Sequence, residues 1–406
     1  MAGVIIAIHL AGRGLSPTGI GLVLGAGVLG TATGTIVAGL RADRWGRRRT
    51  LLLISLLSAV GYVGVAFVPG LASLIGVALI GLVNGMGRDR GPASTLDQAI
   101  IPSIVPDARR TWTMAWYNAS IDAGHALGAL GGIVPTVLER TTGASSSTAH
   151  AWAFVLCGVV VALSGLVYLG LGRRVEVDLS DAGSKDPAYV RRAEDPAYVP
   201  RATDPATHVE RVPIDPATRA IVHRLSALFA VDSIGGGFLN SALVAYWFFE
   251  RYGTSEVQLA GLFFAARVLN VVSHLVAAWL ARRIGLLNTM VMTHLPSSVL
   301  LMLAPTAPTA ALAAALFLAR EALVEMDVPT RQSYVMAVVP PSARTYASGM
   351  TNVTRNIGWG VGPLIGGSLM QHLTLAAPLF IGGTLKIAYD LALYRSFKAI
   401  RPPEER

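Results

Sequence analysis

Charge is scarce along this chain. Asp, Glu, Lys and Arg together make up 14% of 406 residues, against about 25% in an ordinary soluble domain, so there is too little polar surface to solvate a compact globule of this length. Hydrophobic residues make up 53%, a composition that belongs in lipid. Cysteine is nearly missing. Cys157, alone in an apolar run, forms no intrachain disulfide and fits no zinc spacing, which leaves redox and metal-cluster chemistry without material. No G-x-x-x-x-G-K-[ST] string occurs, which argues against a nucleotide-driven pump within the chain. No soluble block exists to house an active site, so the expectation is not an enzyme, with no cofactor, no metal and no nucleic-acid partner. The N-terminus has no basic stretch ahead of its apolar residues, which argues against a secretory signal.

What the chain does have is a series of apolar blocks. A window of about 20 residues places them near 18–38, 51–68, 71–104, 112–138, 150–171, 225–249, 257–280, 289–304, 309–337, 345–370 and 375–394, eleven full-length candidates for membrane-spanning helices. Ahead of them "MAGVIIAIHLAGRGL" is too short to cross a hydrocarbon core about 30 Å thick at about 1.5 Å per residue, and reads as the second half of a helix.

Charges alternate between the connecting segments. One set holds Arg41, Arg44, Arg47, Arg48, Arg49, Arg109, Arg110, Arg282, Arg283, Arg344, Arg395, Lys398 and Arg401. The other holds Arg13, Arg140 and Arg251, offset by Glu139, Glu250 and Glu256. The positive-inside rule therefore expects both termini in the cytoplasm, in a multi-pass protein of the cytoplasmic (inner) membrane.

Between about 172 and 220 the composition changes. "DPAYV", "DPAYV", "DPATH" and "DPATR" begin at Asp186, Asp195, Asp204 and Asp215, and this Pro-rich, charged stretch reads as a flexible cytoplasmic linker. It divides the chain into 1–171, 172–220 and 221–406. The outer two are related: a single ungapped register sets Gln98, Pro106, Arg110, Thr111 and Asn118 on Gln332, Pro340, Arg344, Thr345 and Asn352, with Gly124, Gly128 and Gly132 on Gly358, Gly362 and Gly366. Parallel six-span halves joined by a long loop are a transporter architecture.

The stretch "GLRADRWGRRRT" from Gly39 carries a more specific pattern. Together with the repeat and the loop charges, it makes the chain resemble the major facilitator superfamily, whose loop between spans 2 and 3 reads G-x-L-x-D-R/K-x-G-R-R/K. Gly39, Asp43, Arg44, Gly46, Arg47 and Arg48 match, and Arg41 stands in place of the leucine. The resemblance implies an all-α fold of two six-helix bundles related by a pseudo-two-fold axis, here with the first helix truncated. It also implies a latch, in which the loop Asp faces a helix N-terminus and the loop Arg pairs with an acid at the end of span 4, here Asp97. In the second half Arg282 stands where the first has Asp43, and Arg331 where it has Asp97, so that half does not repeat the latch; Arg331 is expected to pair with Asp327 one turn away.

A lone charge at the bilayer centre costs about 3 kcal/mol or more, so charges within spans face a cavity or a partner. The in-span charges are Arg88, Asp89, Arg90, Asp122, Asp232, Arg267, Arg320, Glu321, Glu325, Asp327, Arg355, Lys386 and Asp390. Lys386 and Asp390, four apart, are expected to form a structural ion pair. Spans 4, 7, 8, 10 and 11 line the central path in the family, which makes Asp89, Asp232, Arg267, Glu321, Glu325 and Arg355 the candidate substrate and proton path, with ion pairs between helices as the competing reading. Gly358, Gly362, Pro363, Gly366 and Gly367 suit a close, flexing helix interface. His125 and His274 stand alone and read as packing residues.

The expected function is secondary active transport of a small solute by alternating access, coupled to a proton or ion gradient, as efflux or organic-ion transport by a monomer. An uncoupled uniporter and a transport-dead sensor or scaffold are the alternatives. Aligning Gly14 with Gly253 puts a helix from about Arg224 to Arg251 before the second glycine, whereas only the short stretch from Met1 to Gly12 precedes Arg13. The chain is therefore expected to start late, within span 1.

Overall fold

The computed structural model describes residues 1–83, 85, 91–104, 117, 120–121, 123–172, 175–176, 215–340 and 343–400. They are mostly helical, with no strand among them. In chain order the helices of the first half are α1 (Ala2–Gly12), α2 (Pro17–Trp45), α3 (Arg47–Phe67), α4 (Leu71–Ile80), α5 (Gly91–Ile104), α6 (Val134–Thr142) and α7 (Ser146–Leu169). Residues 123–130 are helical and lead through a 3-10 turn into α6. The second half contributes α8 (Pro216–Phe238), α9 (Ser241–Tyr252), α10 (Glu256–Ile284), α11 (Leu286–Leu303), α12 (Ala310–Val324), α13 (Asp327–Ala337), α14 (Arg344–His372) and α15 (Ala377–Phe397).

Turn chemistry fixes where these helices start. Ser16 caps α2 by accepting from the Gly19 amide, with Pro17 at the first helical position, and Ser145 caps α7 in the same way from Thr148. Ser255 and Gln258 form a reciprocal capping box at the start of α10. Asp215 accepts from the Thr218 amide at 2.9 Å, with Pro216 following it. The last DPAT repeat is therefore the start of α8, inside the stretch expected to be linker, because Asp-Pro is also a helix-opening pair. The Thr218 side chain and amide hold the exposed Asp215 carboxyl below its ordinary value.

The two halves carry the same parts. α2 and α10 each span 29 residues and each ends at a glycine of positive φ, Gly46 at 92° and Gly285 at 87°. α1, of 11 residues, is the counterpart of α9, of 12, and each is followed by a positive-φ glycine, Gly14 and Gly253. α1 is buried along nearly its whole length and packs against α9.

In the second half, two long apolar blocks are broken near their middle. The block at 225–249 divides into α8 and α9 at Leu239 and Asn240, and that at 309–337 into α12 and α13 at Glu325 and Met326. Such breaks expose backbone polar groups, and in a membrane they are tolerated only where protein or a cavity satisfies them. At the first break the Asn240 side chain caps the new helix, its Oδ1 accepting from the Ala242 amide at 2.9 Å.

Contacts along α14 are close, both with α8 of its own half and, at the end opposite the arginine-rich loops, with α2 of the first half. Along α14, Gly358 and Gly362 lie against α8 at Ser233 and Gly237, while Gly367 and the Pro363 carbonyl meet α2 at Gly21. A Cβ at Gly362 or Gly21 would overlap backbone atoms of the facing helix, so these positions admit only glycine at this separation. Among the described residues, six helical segments are long and apolar enough to cross a membrane. Exposed large apolar residues such as Leu56, Val60, Val160 and Val167 form a lipid-facing surface.

Candidate functional site

A cavity of about 710 Å³ lies between the halves, walled mostly by α8, α9, α10, α12, α13 and α14, with Ser94 and His125 contributed by the first half. Asp232, Arg267, Glu321, Glu325 and Arg355 all line it. They come from four helices and the α12–α13 break, so the fold gathers what the chain scatters over more than a hundred positions. Asp89 lies outside the described residues, as do Arg88, Arg90 and Asp122.

One side of the cavity is a linked set of buried charges. Lys386 donates to Asp232 Oδ1 at 2.6 Å, and His294 Nδ1 meets Asp390 Oδ1 at 2.9 Å. His294 Nε2 lies 3.4 Å from Lys386 Nζ and 3.7 Å from Asp232 Oδ1. Arg331 donates to Asp327 Oδ1 at 2.6 Å, and its Nη1 stands 4.0 Å from Asp232. Every one of these six side chains is buried, and charges so placed persist only when paired. Lys386 and Asp390 make no ion pair with each other, which corrects the sequence expectation. Each finds a nearer partner on another helix: α8 supplies Asp232, and α11 supplies His294.

His294, Asn240 and Asn270 are site residues that sequence reasoning passed over. The polar run from Thr293 to Ser298 inside the block at 289–304 was the available signal for His294. Among the described residues, neither amide atom of Asn270 has a hydrogen-bond partner, nor does Nδ2 of Asn240, though both side chains are buried. Elsewhere Arg320 is bonded to Glu321, Arg267 Nη2 donates to Ser241 Oγ at 3.4 Å, and Arg355 lies over the Trp359 ring, 4.6 Å from its centroid.

A second cluster sits at the arginine-rich end. Gly46 joins α2 to α3, and the amides of Arg47 and Arg48 open α3. Both donate to the Glu176 carboxylate, at 2.6 and 3.1 Å. A carboxylate accepting from the first amides of a helix neutralises that end, and Glu176 comes from the stretch expected to be linker. Asp97, on α5, accepts from Tyr117 at 3.1 Å. Gly39 and Arg44 lie in the last turns of α2, while the side chain of Asp43 is outside the described residues.

At the opposite end, the His150 ring on α7 lies against the Glu256 carboxylate at the start of α10, and Thr136 donates to the same carboxylate at 3.3 Å. The His150 ring is stacked with His9 of α1, centroids 5.9 Å apart.

Comparison with known proteins follows the same lines. The sequence profile described as Major Facilitator Superfamily matches residues 1–363. An uncharacterized membrane protein of Saccharomyces cerevisiae, YJR124C, is 26% identical over 405 residues, covering 98% of this chain and 90% of that one. The multidrug efflux pump Tap of Mycolicibacterium fortuitum is 31% identical over 157 residues, 37% of either chain. Among solved structures, the nucleoside transporter NupG superimposes with a TM-score of 0.68 at 13% identity, covering 98% of this chain and 94% of that one. The xylose transporter XylE from E. coli, inward open, gives 0.68 at 15% identity over 97% and 92%. At these identities the structural likeness concerns the fold alone.

Proposed function

The chain belongs to the major facilitator superfamily, and from that membership we propose a proton-coupled exporter of a small organic solute, working by alternating access in the cytoplasmic membrane. As a member of the family it is a membrane transporter of small solutes and not an enzyme. The observation that carries the coupling is His294. Held between Asp390 on one side and the Lys386–Asp232 pair on the other, it sits where gaining or losing one proton changes the charge of a buried set that borders the cavity. Among Asp232, Asp327, Asp390, Lys386, Arg331 and Arg355 the formal signs cancel, so one proton gained by this set leaves it with a net charge.

Loop charge supports the orientation, with the arginine-rich end in the cytoplasm. Close contact at the other end corresponds to a state facing the cytoplasm. Export is supported by the similarity to the efflux pump Tap. The Asp97 carboxylate and the Gly46 loop are the parts of the latch, and the protein works as a monomer without cofactor.

Reconstituted vesicles test this reading. With a pH gradient imposed and a mixture of organic solutes supplied, the protein should accumulate at least one solute against its concentration, and His294→Gln should exchange that solute without gradient-driven accumulation. Flux indifferent to the gradient would establish a uniporter, and no flux for any solute a sensor.

A further inference from the structure

Arg355 is a cavity-lining cation with no counter-charge bonded to it among the described residues. Arg331 is bonded to Asp327, Lys386 to Asp232 and Arg320 to Glu321. Arg355 makes no hydrogen bond or ion pair among the described residues, and its Nε is buried without a partner. What holds it is the ring of Trp359, 4.6 Å below the guanidinium carbon. A cation fixed over a ring is positioned without consuming its N–H groups, which stay available for two parallel bonds to a carboxylate.

The other orphaned polar atoms lining the same cavity lead to the same conclusion. Arg355 Nε, Asn240 Nδ2 and Asn270 Nδ2 are donors, and Asn270 Oδ1 is the one acceptor. Asn240 and Asn270 are 2% and 6% exposed, so neither amide reaches bulk water, and a buried donor without a partner costs about 1 to 3 kcal/mol. A set so rich in donors fits a group rich in acceptors. Five Arg and Lys side chains against four Asp and Glu line the cavity, which adds a positive field. Phe263 and Phe317, whose rings meet edge to face at 5.9 Å, give the cavity an apolar wall.

We propose that the transported solute is a small organic anion, its acidic group held by Arg355 with the amides of Asn270 and Asn240, its apolar body against Phe263 and Phe317. This rests on the reading of the cavity as a transport site.

A matched set of probes tests it on the purified full-length chain. Benzoate, benzamide and benzylamine share one ring and differ in charge. Millimolar benzoate should raise the thermal unfolding midpoint in a saturable way, with benzamide and benzylamine without effect. Arg355→Gln should weaken benzoate at least tenfold, and Arg355→Lys less. Asn270→Asp, which places a carboxylate among the donors, should reverse the preference towards benzylamine, and it carries the test if Arg355→Gln does not fold. Equal stabilisation by all three probes, stabilisation by none, or full benzoate affinity in Arg355→Gln overturns the proposal. Benzoate binding through Arg355 without gradient-driven flux would leave it standing and remove the proton coupling, whereas gradient-driven flux without benzoate binding would remove it alone.

Discussion

Removing one member of a buried ion pair strands the other, and that is the sharpest way to weigh the Asp232–Lys386 contact. Lys386→Met leaves Asp232 with Arg331 at 4.0 Å as its nearest arginine or lysine, and Asp232→Asn leaves the ammonium facing His294. Each single change is expected to cost about 3 to 5 kcal/mol, while the double variant, which removes both charges, recovers most of the loss. Thermal unfolding in detergent reads this directly, and additive losses in the double variant would show that the pair is not a unit. The same residues mark the limit of sequence reading. Asp232 was visible because an acid inside an apolar block is costly, but its partner was not, since Lys386 lies 154 positions away and has a plausible partner, Asp390, one turn along its own helix. Arg331 with Asp327 was legible because both lie on one helix face. Local spacing gives pairs within a helix, and only packing decides pairs between helices.

Elements show a similar division. The apolar blocks and the DPA repeats were readable because each rests on residues near one another in sequence, and the related halves because one ungapped register aligns them. The breaks within two blocks were not, since "GGGFLNSALV" and "LVEMDVPT" stay apolar enough to pass as continuous spans. The cap on α3 was equally hidden, as Glu176 lies 129 residues from the amide it accepts. If Glu176 stabilises that helix start, Glu176→Ala should speed hydrogen exchange at the Arg47 and Arg48 amides while Glu176→Asp retains part of the protection. Unchanged exchange in Glu176→Ala would mean that water serves those amides equally well. The α8–α14 contact makes a different demand. Gly362→Leu would force apart helices that touch at Gly237, so the variant should lose several degrees of unfolding temperature and all transport. Normal stability with lost transport would instead place the effect on motion between states.

At the scale of the molecule, the question is what keeps the halves together at one end while the other is free to change. The proposed alternating access requires two states of the whole chain, and an equilibrium between them moves only when a contact differs between the states. His150 and Thr136 on the first half meet Glu256 on the second, beside the tight α2–α14 contact, where Gln371 accepts from the Thr18 amide at 3.1 Å. In the proposed transport cycle these contacts would be lost when that end opens. Glu256→Gln removes the carboxylate charge and keeps the shape, and His150→Gln removes the imidazole from the other half. Both variants should therefore shift the population towards opening at that end, and because they remove the same contact, their combination should shift it no further than either alone. Spin labels on cysteines introduced at the exposed positions Ser147 and Leu373, in a background where Cys157 is replaced by serine, report the separation of the two halves. The expected result is a longer distance component that grows in each single variant and is unchanged in the double. The same component should shrink when Asp97→Asn weakens the latch at the arginine-rich end, since closing one end and opening the other are one equilibrium. Identical distance distributions in wild type and Glu256→Gln would show that the glycine contact alone holds the end shut.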